Sequence, residues 1–301
     1  MSLPRSYSAG HFLFVLDGSP NAGLIRSVSG GAIKGQIIDE APGSDLHRVK
    51  HVGVVEIEPM ELELGMALSE PFIKWINDSW KKKFARRSGA IVHADFDLKE
   101  RLAQEFDDAL IGEITFPTLD GSSSDSSYLK VSVQPERCKI SKRNGETLTG
   151  VSKVDQKRWL TSNFRLTLGD INCDHISKID GWSVKQKIKK VYSGQARFPE
   201  IEPTGIEFPN LSFYTALDFA DGFIKWHKEY VLDGGNDTKH ELDGSIEFLA
   251  DNLDDKNPLF TVTLEKVGIY GISIEKSQAG KEEIKRCRID VYVESMSIKH
   301  G

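Results

Sequence analysis

His93, Asp95 and Asp97 alternate along one stretch, so in an extended strand their side chains share a face. An imidazole with two carboxylates is a donor set a divalent metal accepts, and such a site would suit a carbohydrate-binding or hydrolytic β-sandwich. Metal sites usually draw their ligands from several elements, so a solvated strand face accounts for the pattern better. Asp251-Asn252 with Asp254-Asp255 has the acidity of a calcium loop. It lacks the Gly at the sixth place and the Glu at the twelfth, and reads as an acidic turn. Ser29-Gly30-Gly31 and Asp233-Gly234-Gly235 open no helix within a strand–loop–helix unit, so they read as turns and not as phosphate cradles. His175, His227 and His240 have no Ser or Cys placed near them as a nucleophile would need. His227 beside Trp226 reads as part of a helix docking face. The sequence therefore predicts a non-enzymatic protein with no catalytic, cofactor-binding or metal residue.

The elements that would position these residues are organised around a repeat. Phe72-Ile73-Lys74-Trp75 returns as Phe223-Ile224-Lys225-Trp226, displaced by 151 residues (223 − 72). Each copy follows an extended apolar segment, opens an amphipathic helix and precedes a Gly-led strand. Ser69 is a natural N-cap for the first helix, read over Pro71 to about Phe84, with Glu70 and Pro71 in its first turn. Thr215 with Asp218 reads as a capping box for the second. Phe72, Trp75, Ile76 and Trp80 fall on one helical face, as do Phe219, Phe223, Trp226 and Tyr230. A helix docked on a sheet explains both stripes. The basic run Lys81 to Arg87 (KKKFARR) ends the first helix, where cations offset the dipole, and reads as a solvated helix end with a partner contact second.

The extended segments repeat in the same order. Strands are expected at 11–16, 24–28, 32–38, 52–64 (with Pro59 at an edge or bulge), 89–98, 109–116 and 128–140, with loops at 41–49 and 121–127. Phe164 to Asp170 matches Phe12 to Gly18 at a shift of 152, and Ile179-Asp180-Gly181 matches Val28-Ser29-Gly30 at 151. Gly244-Ser-Ile answers Gly89-Ala-Ile at 155, and Leu249-Ala-Asp answers His93-Ala-Asp at 156. Ile269 to Ile274 answers Ile111 to Phe116, and Ile289 to Val291 answers Val131 to Val133, both at 158. A displacement that rises along the chain is what short loop insertions in one copy produce. The predicted fold is mainly β (β+α): two tandem, mostly antiparallel domains, each with one main flanking helix. Domain 1 spans 1–142, a polar linker 143–158, and domain 2 159–301.

Composition narrows the function classes. The net charge of −6 disfavours a surface built to hold a phosphate backbone. Cys138, Cys173 and Cys287 form no CxxC pair and read as reduced thiols. The N-terminus has no signal-peptide pattern and no stretch reaches membrane-span length, so neither secretion by that route nor a membrane partner is expected.

This order of parts resembles the phage tail tube protein family, the tail tubes of contractile phages and the inner tubes of contractile injection systems. The resemblance rests on the opening strand ending Asp17-Gly18, the next ending Val28-Ser29-Gly30, the pre-helix strand ending Leu64-Gly65, and the helix with Phe72-Ile-Lys-Trp75. Gly89-Ala-Ile-Val and the closing Val131-Ser-Val133 complete it. The second half repeats it less faithfully: it lacks the Leu-Gly before the helix, while Asn257-Pro258-Leu259 to Leu264 and Val267-Gly268-Ile269 look like late strands. The resemblance implies tail-tube-type β-barrel or sandwich domains whose inward sheets join edge to edge around a lumen. Family members with one such domain form hexameric rings, so the fusion implies a trimer giving a pseudo-hexameric ring. Its implied partners are itself, adjacent rings, sheath, baseplate or hub proteins, and DNA or protein cargo in transit. The implied location is a virion tail or injection particle assembled in a bacterial cytoplasm. A tail-tip hub or tube-initiator adaptor is the alternative. An anionic lumen would not trap acidic cargo.

Overall fold

Two sheets carry the fold, and each takes strands from both halves of the chain. The computed structural model describes residues 10–41, 43, 48–148, 159–194, 196–250, 258–275 and 284–300. The first half runs β1 (His11–Leu16), β2 (Ser19–Gly30), β3 (Ile33–Glu40), β4 (Val49–Ile57), β5 (Met60–Leu68), α1 (Glu70–Trp80), β6 (Arg87–Ala94), β7 (Glu100–Phe116), β8 (Leu119–Asp120), β9 (Leu129–Gln134) and β10 (Arg137–Lys142). The second runs β11 (Phe164–Leu168), β12 (Ile176–Ile179), β13 (Trp182–Val191), β14 (Glu200–Glu207), β15 (Leu211–Ala216), α2 (Asp221–His227), β16 (Leu242–Leu249), β17 (Pro258–Ile274) and β18 (Arg286–His300). The larger sheet is ordered β14-β13-β7-β6-β1-β2-β5-β9, with β9 and β10 also on β7. The smaller is ordered β11-β16-β17-β18-β15-β12-β8, and β3–β4 form a separate hairpin. Mainly antiparallel β structure of tail-tube type is what the sequence predicts.

The pairing registers repeat as the residues do. Leu13 opposite Val92 becomes Arg165 opposite Glu247, displaced by 152 and 155. Met60 opposite Val133 becomes Leu211 opposite Val291, displaced by 151 and 158. Even the irregularities recur. The bulge between Ile111 and Glu113 returns between Ile269 and Gly271, and the one between Arg87 and Gly89 returns between Leu242 and Gly244. The bulge between His93 and Ala94 returns between Phe248 and Leu249, so the displacement stays at 155 to the end of that strand and does not rise to 156.

The repeated glycines explain part of this. A Cβ on Gly89 would stand 2.2 Å from the Val15 carbonyl oxygen, and one on Gly244 would stand 2.4 Å from that of Thr167. Neither strand pair could close with a larger residue there. Asp108 and Lys266 hold φ of 51° and 54°, the same left-handed step displaced by 158.

Several expectations are corrected. The stretch 52–64 is two strands, because the chain turns at Glu58-Pro59 and passes from the hairpin to the large sheet. The strand expected at 109–116 begins at Glu100; its first part pairs with β6 on one edge and β10 on the other. That expected at 128–140 is split into β9 and β10. The strand expected at 89–98 stops at Ala94. α1 stops at Trp80, with Lys81 as its C-cap. Ser69 caps it as expected, its side chain accepting from the Phe72 N–H. Thr215 caps nothing: it lies in β15 and its hydroxyl donates to the His175 carbonyl. A 3₁₀ turn over Leu217–Phe219 intervenes before α2, leaving Phe219 exposed, whereas Phe223, Trp226 and Tyr230 are buried. Acidic residues 251–255 lie outside the described residues.

The sheets are also less open than the resemblance implies. In the first half β1-β2-β5-β9-β7-β6 return on themselves, so among the described residues the strands of that closed set have an open edge where they overhang one another. One buried core, including Phe14, Trp75, Phe116, Trp182, Phe248 and Phe260, runs through both halves.

Candidate functional site: the strand junction between the halves

The overhang of β7 carries the junction. Beyond Ala109 its β6 partner ends, and the vacated edge takes up β13: Trp182 lies opposite Phe116, Ser183 opposite Thr115, Val184 opposite Ile114 and Lys185 opposite Glu113. The ladder continues in β8 and β12, with Ile179 opposite Leu119 and Lys178 opposite Asp120. Trp182 stacks on Phe116, ring centroids 4.7 Å apart. Ser183 and Thr115 hydroxyls are 2.9 Å apart, and Lys185 Nζ lies 3.4 Å from Glu113. The Gly181 N–H donates to Thr118 Oγ1 at 3.1 Å.

Polar groups fix the joint at both ends. Arg86 Nη1 donates to Glu136 at 2.6 Å and Nη2 to the Ile201 carbonyl at 2.5 Å, while the Ile201 N–H donates to the same Glu136. The basic run, expected to be a solvated helix end with a partner contact second, divides in two. Lys81, Lys82 and Lys83 are exposed in that manner, whereas Arg86 pins hairpin β13–β14 and Arg87 binds Asp17 at 2.7 Å. Asn77 on α1 donates to the Ile298 carbonyl at 2.7 Å and accepts from its N–H at 2.9 Å, fastening the first helix to β18. At the other end Lys178 and Tyr214 both donate to Asp180. Burial works to raise the Asp180 pKa, yet these hydrogen bonds hold it below the ordinary value, and the same contact holds Lys178 above its own.

The residues with chemical potential are occupied structurally. His93 packs edge-on against Phe12 and meets Gln104 at 3.4 Å, and burial lowers its pKa. Asp95 accepts from the Asp97 and Lys99 N–H groups at 3.0 Å and from Arg101 at 2.8 and 2.6 Å. It serves a turn. His175 stacks on Phe219 and His240 binds Asp237. Among the described residues no three of His, Cys, Asp and Glu converge as metal ligands, and no helix is long and apolar enough to cross a membrane. The sequence reading missed β13–β14, although Trp182, Val184 and Ile188 against Lys185, Lys187 and Lys189 show the period of two that signals a strand.

Residues 8–139 match the family of T4-like virus tail tube protein gp19, 132 of 301 residues. The chain carries a tail-tube domain. A structural role of the tail-tube or contractile-injection-system kind goes with that domain. No curated protein matches it significantly. Among solved structures it is similar to a chain of the sheath–tube complex of an extracellular contractile injection system, PVC, in the extended state: 17% identity, TM-score 0.41, covering 47% of this chain and 95% of that one. A tube-terminating cap chain of the anti-feeding prophage gives 16% and 0.40, covering 46% and 89%. Hcp1 from Flavobacterium johnsoniae gives 12% and 0.27, covering 46% and 95%.

Proposed function

We propose that this is a non-enzymatic ring-forming protein whose units, 1–142 and 159–301 joined by 143–158, are both tail-tube domains. Three copies make a pseudo-hexameric ring around a channel that conducts DNA or protein cargo. The ring belongs to a phage tail or injection particle assembled in the bacterial cytoplasm, and adjacent rings, sheath or baseplate proteins contact it. The observation that supports this is the junction itself. It joins two like units through unlike surfaces, and head-to-tail contacts of that kind generate a ring when the rotation closes.

Native mass measurement with electron microscopy tests the reading. A threefold mass and an annular particle are expected, and a monomer at high concentration overturns it. Indefinite tubes identify a tube subunit, whereas isolated rings identify an adaptor at a tube end.

A further inference from the structure

The within-chain junction has an unfilled counterpart. β17 overhangs β16 as β7 overhangs β6: pairing with β16 ends at Val267, and among the described residues no strand occupies that edge beyond it. The other edge, from Gly271 to Ile274, is already paired with β18. The counterpart of the docking hairpin is equally unused. β3–β4 has the same register as β13–β14, with Gly35 opposite Val55 becoming Gln186 opposite Ile206 at a displacement of 151, yet it joins neither sheet.

We propose that residues 31–34 of one copy add antiparallel to residues 271–274 of another, with Ile33 opposite Ile272. The register comes from the filled junction, moving Val184 back by 151 to Ile33 and Ile114 forward by 158 to Ile272. It deepens the ring reading and rests on it, since it supplies the contact by which one chain meets the next.

Exposure supports the pairing residue by residue. Val184 is 2% exposed in the filled junction and its counterpart Ile33 is 42% exposed; Phe116 is 1% exposed and its counterpart Ile274 is 61%. The flank repeats this. Trp80 and Ile298, where α1 meets β18, are 5% and 1% exposed, but their counterparts Val231 and Ile140 are 43% and 52% exposed. The exposed member of each pair lies on the surface that a second copy would cover. Burying such residues between chains removes apolar surface from water and favours association. The occupant is a second copy of this chain because the hairpin that fits is its own.

Two full-length variants, Ile33→Cys and Ile272→Cys, carrying tags of different mass, are mixed, oxidised and run without reductant. Ile33 is exposed and Ile272 is half-buried at the edge of the core, and cysteine keeps a small apolar side chain at each, so both variants are expected to fold. A disulfide-linked product containing one of each is expected, because directly opposed antiparallel residues place their Cα atoms about 4.5–5.5 Å apart, within the range of about 4.4–6.8 Å that a disulfide spans. Ile33→Cys with Ser273→Cys should give little, since a one-residue step turns the side chain to the other face. Rings of threefold mass without the Ile33–Ile272 link overturn this pairing and leave the ring standing. Linked chains that form open strings keep the pairing and overturn ring closure. A preparation that stays monomeric and unlinked overturns both.

Discussion

Trp182, from the second half of the chain, lies flat on Phe116 from the first, the ring planes within 10° of parallel. The indole is buried, and its Nε1 finds no acceptor among the described residues. Two changes at this position separate the stack from the orphaned donor. Trp182→Ala removes a large buried ring and should cost about 3–5 kcal/mol. Trp182→Phe keeps an aromatic face and deletes the unpaired N–H, so it should stay within about 1.5 kcal/mol of the native chain. Urea unfolding measures both. The two halves share one core and exchange strands, so a single transition is expected; two resolved transitions would show that the halves fold independently.

Gly89 and Gly244 should behave as one residue written twice. Alanine at either puts a methyl against the facing carbonyl and should cost about 1–3 kcal/mol through strand displacement. Gly205→Ala in β14 is the control: nothing lies within 4 Å of its added Cβ, so its effect should stay within about 0.5 kcal/mol. Equal costs at all three positions would refute the close-approach explanation.

Asn77 joins α1 to the last strand through two backbone hydrogen bonds at Ile298. Asn77→Ala strips a partner from that N–H and that carbonyl together, for a loss of about 1–3 kcal/mol. Hydrogen exchange locates the damage: the Ile298 amide should exchange faster while amides in β6 keep their protection. Faster exchange throughout would point to general destabilisation instead of a local fastening.

Cys173 offers a chemical readout of burial. Desolvation pushes its thiol up to about 11 from 9.0. Only the thiolate alkylates, so at pH 8 the folded protein should react on the order of 100-fold more slowly there than the urea-unfolded chain. Comparable rates would mean that the site opens readily.

Legibility in the sequence followed the range of the interactions. The α1 face could be read because 3.6-residue periodicity is local, and Ser69 could be read because a cap reaches only three residues. The repeat was visible through glycines such as Gly89 and Gly244, which a steric demand of the fold fixes in place. Thr215 misled because a capping pattern cannot reveal that the residue is held in a ladder with β18. The exchange of β13–β14 was hidden for a similar reason: Trp182 meets Phe116 across 66 residues (182 − 116), and nothing in either segment names the other. The metal-like spacing of His93, Asp95 and Asp97 was real in sequence, but Asp95 lies past the strand end, where Arg101 and backbone donors claim it.

That engagement of Asp95 has a consequence in acid. The Lys99 N–H and then Arg101 hold its pKa below the ordinary 3.8. A carboxylate depressed on folding contributes stability that is complete above its unfolded pKa and disappears as pH falls through the lower folded value. Asp95→Asn should therefore be less stable than the native chain at pH 7, and the gap should narrow as pH drops below about 4. Unfolding free energies of the two proteins from pH 7 to pH 2.5 measure this. A gap that stays constant across the range would show that the ionised carboxylate contributes nothing and that only the turn's shape matters.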